Sequence, residues 1–508
     1  TPSMASYPIG SATIEPHYLD ACEQFEHLIG RLKDPDAQKL THGEVEAVIH
    51  SEGMELLRRM TQGHLDQRSA QEPFREKVIG EDGLPRTHHR AGCKRGLESR
   101  FGEVTVTRRG YGARGLASVF PLDAELNLPP DKYSHGLRQG LADEVIRGSF
   151  DESVAHLKRS GGGQVSKRQS EELAVHLSQD FDAFYRQPLV RIDEDEDAAK
   201  LLVITADGKG IVMHPNGLRE ATRKAMEQET RKQRTRLSPG EKSNRKRMAT
   251  VVSVYEIERY PRSPEQILDP EHKSEQKRPQ PCHKRTWARV EADLKTVIEQ
   301  GFQEAMRRDP EQRLHWVVLT DGQEDLLRQV YAAAKRYKVE ITVVQDFVHV
   351  LEYLWKAGHA LYPEEPEMRE HWVENRAAAV LAGRASEVAT GLRRAATRKQ
   401  LSQHERKPVD CTANYIENNQ QRLRYDQALD QGLPIATGVI EGACRHLVKD
   451  RMDITGARWG LQRAEAILKL RSLKISGDLP AYMEFHFNQE AKRNYPGPPI
   501  PVVFGEAA

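Results

Sequence analysis

Cysteine is scarce in this chain, and its few occurrences are scattered. The five cysteines form no Cys-x-x-Cys pair; they are Cys22, Cys93, Cys282, Cys411 and Cys444. Disulfide frameworks use even numbers of cysteines, and zinc sites built on cysteine use closely spaced pairs. We therefore expect reduced thiols in an intracellular protein and no structural zinc site.

Long apolar runs are absent too. The longest contain about five or six residues, whereas a helix that crosses a bilayer needs about 20. The first residues contain no basic segment followed by an apolar stretch, so we expect no secretory signal. With 30% charged and 38% hydrophobic residues, the composition is typical of a water-soluble protein with a large polar surface and no membrane partner.

A large net charge of either sign is also missing. The total is only +1 over 508 residues, so any nucleic-acid binding has to be inferred from local basic patches. The length exceeds what a single core uses and predicts about two to four domains.

The N-terminal part predicts helices and then a basic β-hairpin. Residues 1–85 hold amphipathic helical segments without a predicted role. Between His88 and Asp123, Val104 and Val106 alternate with threonines, which is typical of a strand with one buried face. The predicted turn positions are Gly110, Gly112 and Gly115.

Two helices separated by glycines follow the hairpin. Phe150, Val154 and Leu157 mark one face of the first helix, and a run of three glycines ends it. Ser166 and Gln169 form a capping-box pattern for the second helix, whose apolar face is Leu173, Leu177 and Phe181. This layout is that of a helix-turn-helix, although an ordinary helical hairpin explains it equally well. We assign residues 86–195 to a DNA-binding domain.

Strands and helices alternate from residue 196 onward. Apolar runs predict strands at 201–206, 249–257, 315–320 and 339–345, a short third strand within 276–286, and helices near 287–308, 323–337 and 346–357. Three early strands followed by alternating helices and strands predict an α/β protein with an RNase H-like core, whose first part spans 196–362.

The remaining residues predict helices and a tail. Residues 363–434 lack strand signals, and residues 435–480 hold predicted helices at 438–452 and 460–475. The Pro-rich segment 481–508 is predicted to be a surface strap or disordered.

Three acidic residues stand where a two-metal phosphodiester site needs them. Asp207 and Asp321 each end an apolar run, and Glu441 lies in the first turn of a predicted helix. Carboxylate oxygens suit magnesium, and two such ions about 4 Å apart serve phosphoryl chemistry. The alternatives are ordinary turn chemistry for each Asp-Gly pair and a helix-dipole contribution of roughly 0.3–1 kcal/mol for Glu441.

The spacing around Glu441 predicts its position on the helix. At 100° per residue, the buried stripe consists of Ile440, Ala443, Cys444 and Leu447. Glu441 lies at the margin of this stripe, and Arg445 and Lys449 continue its polar side.

Two basic regions could contact DNA. Residues 218–247 hold eleven Lys or Arg against four acids and include Arg245, Lys246 and Arg247. Near Glu441, the predicted DNA-binding residues are Arg445, Lys449, Arg451, Arg458 and Trp459. Basic side chains would contact phosphates, and Trp459 would stack on an unpaired base. The alternatives are a solvated charged face and a tryptophan that fills the helix junction.

Several segments resemble the DDE transposases of bacterial insertion sequences, in particular the ISKra-type family. The most specific is Thr437-Gly-Val-Ile-Glu-Gly-Ala-Cys-Arg-His-Leu-Val-Lys-Asp-Arg-Met, followed by Thr455-Gly-Ala-Arg-Trp. Asp346-Phe-Val-His349 resembles the Asp/Cys-x-x-His element of Mutator-like and hAT transposases, and Phe120-Pro-Leu-Asp resembles the family's N-terminal region. The resemblance covers roughly residues 85–480.

The resemblance implies a function and a set of residue roles. Asp207, Asp321 and Glu441 would be the catalytic triad and the metal ligands for two Mg²⁺ or Mn²⁺ ions, with Asp346 and His349 in support. Residues 363–434 would be an all-helical insertion in the catalytic fold. The partners would be double-stranded DNA, as transposon ends and target, and a second copy of the chain, at the nucleoid in the bacterial cytoplasm. The alternatives are an RNase H-like nuclease without strand transfer and a catalytically silent, domesticated DNA-binding protein.

Overall fold

The structure is a computed structural model that describes residues 16–187, 200–228, 244–268, 277–454 and 456–496. The chain divides into two compact units. One contains Thr1–Asp180 and Pro480–Ala508, and the other is Phe181–Leu479. In the described part of the chain, no helix is both long and apolar enough to span a bilayer.

The first unit packs helices against a β-hairpin. The hairpin strands are His88–Ser99 and Gly102–Gly112, preceded by short strands at Val78–Ile79 and Pro85–Arg86. Val104 and Val106 are buried, as their alternation predicts. Two of the predicted turn positions are wrong, because Gly110 and Gly112 lie within the second strand. The third, Gly115, has a φ of 78° and lies in a turn after which Val119 pairs antiparallel with Tyr111. The chain reverses just before Gly102, which has a φ of 120° that favours glycine.

The helices of this unit come from both ends of the chain. They are Leu19–Lys33, His42–Ala70, Pro121–Glu125, His135–Val145, Phe150–Ser160, Lys167–Leu177 and Leu479–Asn494. The predicted helix pair is present, with N-caps at Ser149 and Ser166. Phe181 does not continue the second helix, because it begins a separate one, Phe181–Tyr185, in the other unit. Residues 481–508, predicted as a tail, begin with most of the last helix, whereas 497–508 lie outside the described residues.

The second unit is a mixed α/β structure around one five-stranded sheet. Its strands are β1 (Lys200–Val212), β2 (Lys246–Glu258), β3 (Cys282–Arg289), β4 (His315–Thr320) and β5 (Ile341–Gln345). The spatial order is β3-β2-β1-β4-β5. The pairs β1/β2 and β2/β3 are antiparallel, whereas β4 pairs parallel with β1, and β5 pairs parallel with β4. Helices Leu294–Arg308 and Glu324–Tyr337 precede the two parallel strands.

A helical segment covers one face of the sheet. It consists of Phe347–Leu361, Pro366–Leu381, Ala385–Arg398, Gln403–Asn419 and Tyr425–Asp430, so the prediction that 363–434 is helical is confirmed. Its apolar side chains share a core with sheet residues Leu201, Val203, Val317, Leu319 and Val344. The chain then forms Gly438–Ala443, a π-helical stretch Cys444–Lys449, Asp450–Met452 and Leu461–Ile475. The predicted continuous helix 438–452 is therefore interrupted, in a way often seen at functional sites.

Candidate functional site

Three aspartates lie at one level of three neighbouring strands. In the parallel ladders, Thr205 of β1 is opposite Leu319 of β4, and Thr320 of β4 is opposite Gln345 of β5. Continuing these registers by one or two residues aligns Asp207 with Asp321 and Asp346. The amide of Asp346 donates to the carbonyl of Thr320 at 2.8 Å, which extends the ladder beyond β5.

The three aspartates also share one face of the sheet. Side chains alternate along a strand, so the aspartates follow the buried residues that pack against the helical segment, Leu201, Val203, Val317, Leu319 and Val344. Adjacent strands lie about 4.8 Å apart. The buried apolar face of the sheet therefore ends in a row of carboxylates.

The position of Asp207 differs from the prediction. Asp207 does not end its strand, because β1 continues to Val212. Beyond the end of β4, β1 still pairs with β2, with Asp207 opposite Val251 and Val212 opposite Lys246. Asp321 does follow the last residue of β4, Thr320.

Asp346 is a buried anchor rather than an open ligand. Its carboxylate accepts hydrogen bonds from the amide of Val348 at 3.1 Å and from Nδ1 of His349 at 3.0 Å. It also accepts from the hydroxyl of Thr437 at 2.6 Å and from the amide of Thr437 at 3.3 Å. Burial raises the pKa of Asp346, but the hydrogen bonds from His349 and Thr437 outweigh it and lower this pKa. Asp346 therefore caps helix Phe347–Leu361 and holds the residue that precedes helix Gly438–Ala443.

Glu441 lies on the helix that Asp346 anchors. The predicted buried stripe is confirmed, since Ile440, Ala443, Cys444 and Leu447 are all buried, while Glu441 is exposed. Cys444, at the other end of this short segment, donates through Sγ to Oδ2 of Asp207 at 3.4 Å. Thr437 and Cys444 thus attach the segment to the ends of β5 and to β1, the two strands that flank β4 and Asp321.

His349 adds a positive group to this cluster. The hydrogen bond to Asp346 raises the pKa of His349 to about 9, with further contributions from the charges of Asp346 and Asp321. One ligand atom each from Asp346, His349 and Glu441 lie within 4.8 Å of one another. Both carboxylate oxygens of Asp346 already accept two hydrogen bonds each, so Asp346 has less free acceptor capacity than Glu441.

Asp321 and Glu441 offer open carboxylate oxygens, whereas each oxygen of Asp207 accepts one hydrogen bond, from the amide of Gly208 at 2.6 Å and from Sγ of Cys444 at 3.4 Å. Among the described residues, none of Asp207, Asp321 and Glu441 pairs with a lysine or arginine, and Glu441 accepts no hydrogen bond. Asp321 accepts one through Oδ1, from the amide of Gln323 at 3.0 Å. An all-carboxylate donor set of this kind fits Mg²⁺ or Mn²⁺. The three carboxylates are not among the described groups whose ligand atoms all lie within 4.8 Å. A pair of ions about 4 Å apart, rather than a single ion, is the arrangement that such a separation calls for if the three carboxylates are to share a metal site.

Tyr415 supports Asp321 from the helical segment, and no local pattern in the sequence indicates this role. Its hydroxyl donates to the carbonyl of Asp321 at 3.3 Å and accepts from Nε2 of Gln345 at 2.7 Å. Gly322 has a φ of 89°, and a Cβ there would lie 2.4 Å from Nε2 of Gln345. The backbone after β4 is thus held tightly where Asp321 emerges.

The predicted DNA-binding residues divide into exposed and buried groups. Arg245, Lys246, Arg445, Lys449 and Arg458 are exposed. Residues 229–243, the middle of the basic stretch, lie outside the described part of the chain.

Arg451, Trp459 and Arg247 were predicted to contact DNA, but their side chains contact the protein itself. Arg451 is 2% exposed and Trp459 is 6% exposed, with the guanidinium of Arg451 4.9 Å from the centre of the Trp459 ring. Nε1 of Trp459 donates to the carbonyl of Met452 at 3.0 Å. Arg247 donates to the carbonyls of Val290, Gly217 and Glu291. Trp459 and Arg451 thus fill the helix junction, and Arg247 fixes loops.

Comparison with known proteins adds no family assignment: no protein-family model matches the chain, and a search of curated proteins gives no match. Function is therefore inferred from the geometry of the carboxylate row and the Glu441 segment.

Proposed function

We propose that the protein is a DDE transposase of a bacterial insertion sequence, which cuts and joins DNA strands at Asp207, Asp321 and Glu441. The observation that carries this proposal is the alignment of Asp207 with Asp321 on adjacent strands, next to a helical segment that brings Glu441 between the strands on either side of Asp321. The protein would act in the bacterial cytoplasm, at the nucleoid. Cutting two transposon ends together calls for at least a dimer.

The strand arrangement supports an RNase H-like core for this site. Three antiparallel strands in chain order, followed by two parallel strands on the other side of β1, give the order β3-β2-β1-β4-β5. The helical segment 347–430 enters between β5 and the Glu441 segment, as an insertion within such a core would.

The charges of the site support phosphoryl chemistry. Asp207, Asp321 and Glu441 have no lysine or arginine partner in the described part of the chain, so bound cations would compensate their negative charges. When bound, two Mg²⁺ or Mn²⁺ ions would activate an attacking oxygen and stabilise the leaving one. The exposed Arg445 and Lys449 lie on the same segment as Glu441 and would hold the phosphates of the bound strand.

A three-outcome assay tests this proposal. The full-length chain is incubated with Mg²⁺ or Mn²⁺, a labelled duplex of the DNA that flanks its coding sequence, and a supercoiled target plasmid. A transposase cuts the duplex and joins its 3′ end to the plasmid. Cutting without joining would identify a nuclease instead, and binding without cutting would identify a silent DNA-binding protein.

A further inference from the structure

A second cluster of ligand-type side chains lies in the first unit. His486 and Glu490 are four residues apart on helix Leu479–Asn494, which places them on one face. His176 comes from helix Lys167–Leu177. His486 is 0% exposed and Glu490 is 1% exposed. One ligand atom from each of the three lies within 4.8 Å of the others.

The hydrogen bonds of His486 leave one ring nitrogen open toward this cluster. Nδ1 lies 2.7 Å from Oδ2 of Asp180, so Nδ1 donates and Nε2 carries a lone pair. Nε2 is buried and has no hydrogen-bond partner within the described residues. A histidine that donates its other nitrogen to a carboxylate is the usual arrangement of a metal-binding histidine.

The separations suit a metal ion better than direct hydrogen bonds. Nε2 of His486 is 3.9 Å from Oε2 of Glu490, and Nε2 of His176 is 3.8 Å from Oε1 of Glu490. Tetrahedral zinc, with bonds of about 2.0–2.2 Å, places its ligand atoms about 3.4 Å apart. Small side-chain movements reach that value. The one contact to be displaced is a long one, 3.4 Å between Nε2 of Gln179 and Nε2 of His176.

The charged side chains around the cluster are also compatible with a bound cation. Arg138 donates to both oxygens of Glu490 at 2.8 and 3.0 Å and pairs with Asp131 at 2.6 Å. Arg493 pairs with Asp180 at 2.7 Å. Three carboxylates thus face two guanidinium groups. A carboxylate has about four lone-pair positions, so Glu490 retains acceptor capacity beyond its two bonds from Arg138.

We propose that His176, His486 and Glu490 bind a zinc-class divalent ion, with Asp180 orienting His486. Two imidazoles and a carboxylate are a donor set for zinc rather than for magnesium. Nδ1 of His135 also lies 3.8 Å from Oε2 of Glu490, but His135 does not belong to the group whose ligand atoms all lie within 4.8 Å of one another. The ion joins helix Leu479–Asn494 to helix Lys167–Leu177. This proposal departs from the expectation of no structural zinc site, which was argued from the cysteines alone.

Metal titration of the full-length chain tests this site. The chain is stripped with EDTA and titrated with Zn²⁺ against a competing chelator, and in parallel with Co²⁺ to record its visible spectrum. We expect one tight equivalent per chain, with the intense d–d bands of a four-coordinate site and no thiolate charge-transfer band. His176→Gln, whose side chain is 35% exposed in the native chain, should remove this equivalent. Asp180→Asn should weaken binding about 10–100-fold.

Two control variants test whether the zinc equivalent belongs to this cluster or to another histidine or thiol of the chain. His156→Gln alters an exposed histidine of the same unit, paired with Glu144 at 3.2 Å, and should leave the zinc equivalent in place. Cys282→Ser alters a different described cluster, which contains a thiol and consists of Glu256, Cys282 and His283. This variant should also keep the zinc equivalent. Absence of a tight equivalent in the wild type, its retention in His176→Gln, or its loss in Cys282→Ser would each overturn the proposal. A wild-type cobalt spectrum without four-coordinate bands would overturn the proposal even if a variant does not fold.

Discussion

The hydroxyl of Thr437 donates a 2.6 Å hydrogen bond to the buried carboxylate of Asp346. This bond joins the start of the Glu441 segment to the end of β5. The amide of Phe347 adds a second link, to the carbonyl of Ile435 at 2.9 Å. We therefore predict that Asp346 positions Glu441.

Removing the Thr437 hydroxyl should impair cleavage beyond its effect on stability. Thr437→Val leaves Asp346 short of a donor, which costs about 1–3 kcal/mol of unfolding free energy. A shift of Glu441 by about 1 Å would lower kcat about 100-fold, with KM for DNA little changed. Thr412→Val is the matched control, since its buried hydroxyl bonds the carbonyl of Tyr353 at 2.9 Å. Equal kcat in the two variants would contradict the positioning role.

The carboxylates of Asp207, Asp321 and Glu441 should each be required for cleavage. Asp207→Asn, Asp321→Asn and Glu441→Gln should lower the cleavage rate by at least about 100-fold, since losing a group that only orients a ligand already costs about 10–100-fold. DNA binding, measured by fluorescence anisotropy, should remain. Asp325→Asn is the control, because Asp325 is exposed and pairs with Arg328. A variant of the three that cuts at the normal rate would remove that residue from the site.

His349 should make stability depend on pH in the metal-free chain. Its folded-state pKa of about 9 exceeds the roughly 6.5 of a free histidine. The stabilisation is therefore fully present below about pH 6.5 and lost as the pH rises through about 9. In EDTA, His349→Gln should lower the unfolding free energy near pH 6 more than near pH 10. The control is His446→Gln, which removes an exposed pair with Asp450 and should change the unfolding free energy little at either pH. A decrease in unfolding free energy that is the same at both pH values in His349→Gln would contradict the prediction.

Arg445 and Lys449 should contribute sequence-independent DNA contacts. Replacing both with alanine should weaken binding to all duplexes and reduce the slope of log K against log salt by about 2, which is close to 0.9 for each phosphate contact. Lys335→Ala, an exposed change at the far end of the helix that follows Asp321, should leave the slope unchanged. If the salt-dependence slope of the double variant is unchanged, Arg445 and Lys449 do not contact the DNA phosphates.

Trp459 should act through stability rather than through base stacking. Trp459→Ala should cost about 3–5 kcal/mol of unfolding free energy, as for other buried aromatic side chains. Trp459→Phe removes the bond to the Met452 carbonyl, at a cost of about 0.5–1.5 kcal/mol, and should bind DNA normally. A Trp459→Phe chain that is stable but binds DNA poorly would restore the stacking role.

The sequence revealed those parts of the site that have a local signature. Asp321 follows a continuous apolar run, and the buried stripe beside Glu441 has helical spacing, so both positions were predictable. The interior position of Asp207 was not, because Gly208 and Gly210 interrupt the apolar pattern while the backbone keeps pairing with β2. Tertiary pairing, rather than local preference, sets the end of β1.

Contacts between distant segments could not be predicted from the local sequence pattern. Tyr415 reaches Asp321 from a separate helix, and Thr437 reaches Asp346 from beyond the helical segment. His176 and His486 meet only because the C-terminal helix packs in the first unit. Trp459 and Arg451 have the composition of a DNA-contacting loop, and only their burial distinguishes them from one.

Iron-directed backbone cleavage tests most directly whether Asp207, Asp321 and Glu441 share bound ions. Fe²⁺ replaces Mg²⁺ in the DNA-bound wild-type chain, ascorbate and peroxide generate hydroxyl radicals at the ion, and mass spectrometry maps the cut peptides. The account predicts cuts around all three residues, each suppressed by excess Mg²⁺. Magnesium-sensitive cuts confined to one of these segments, or absent from all three, would contradict it.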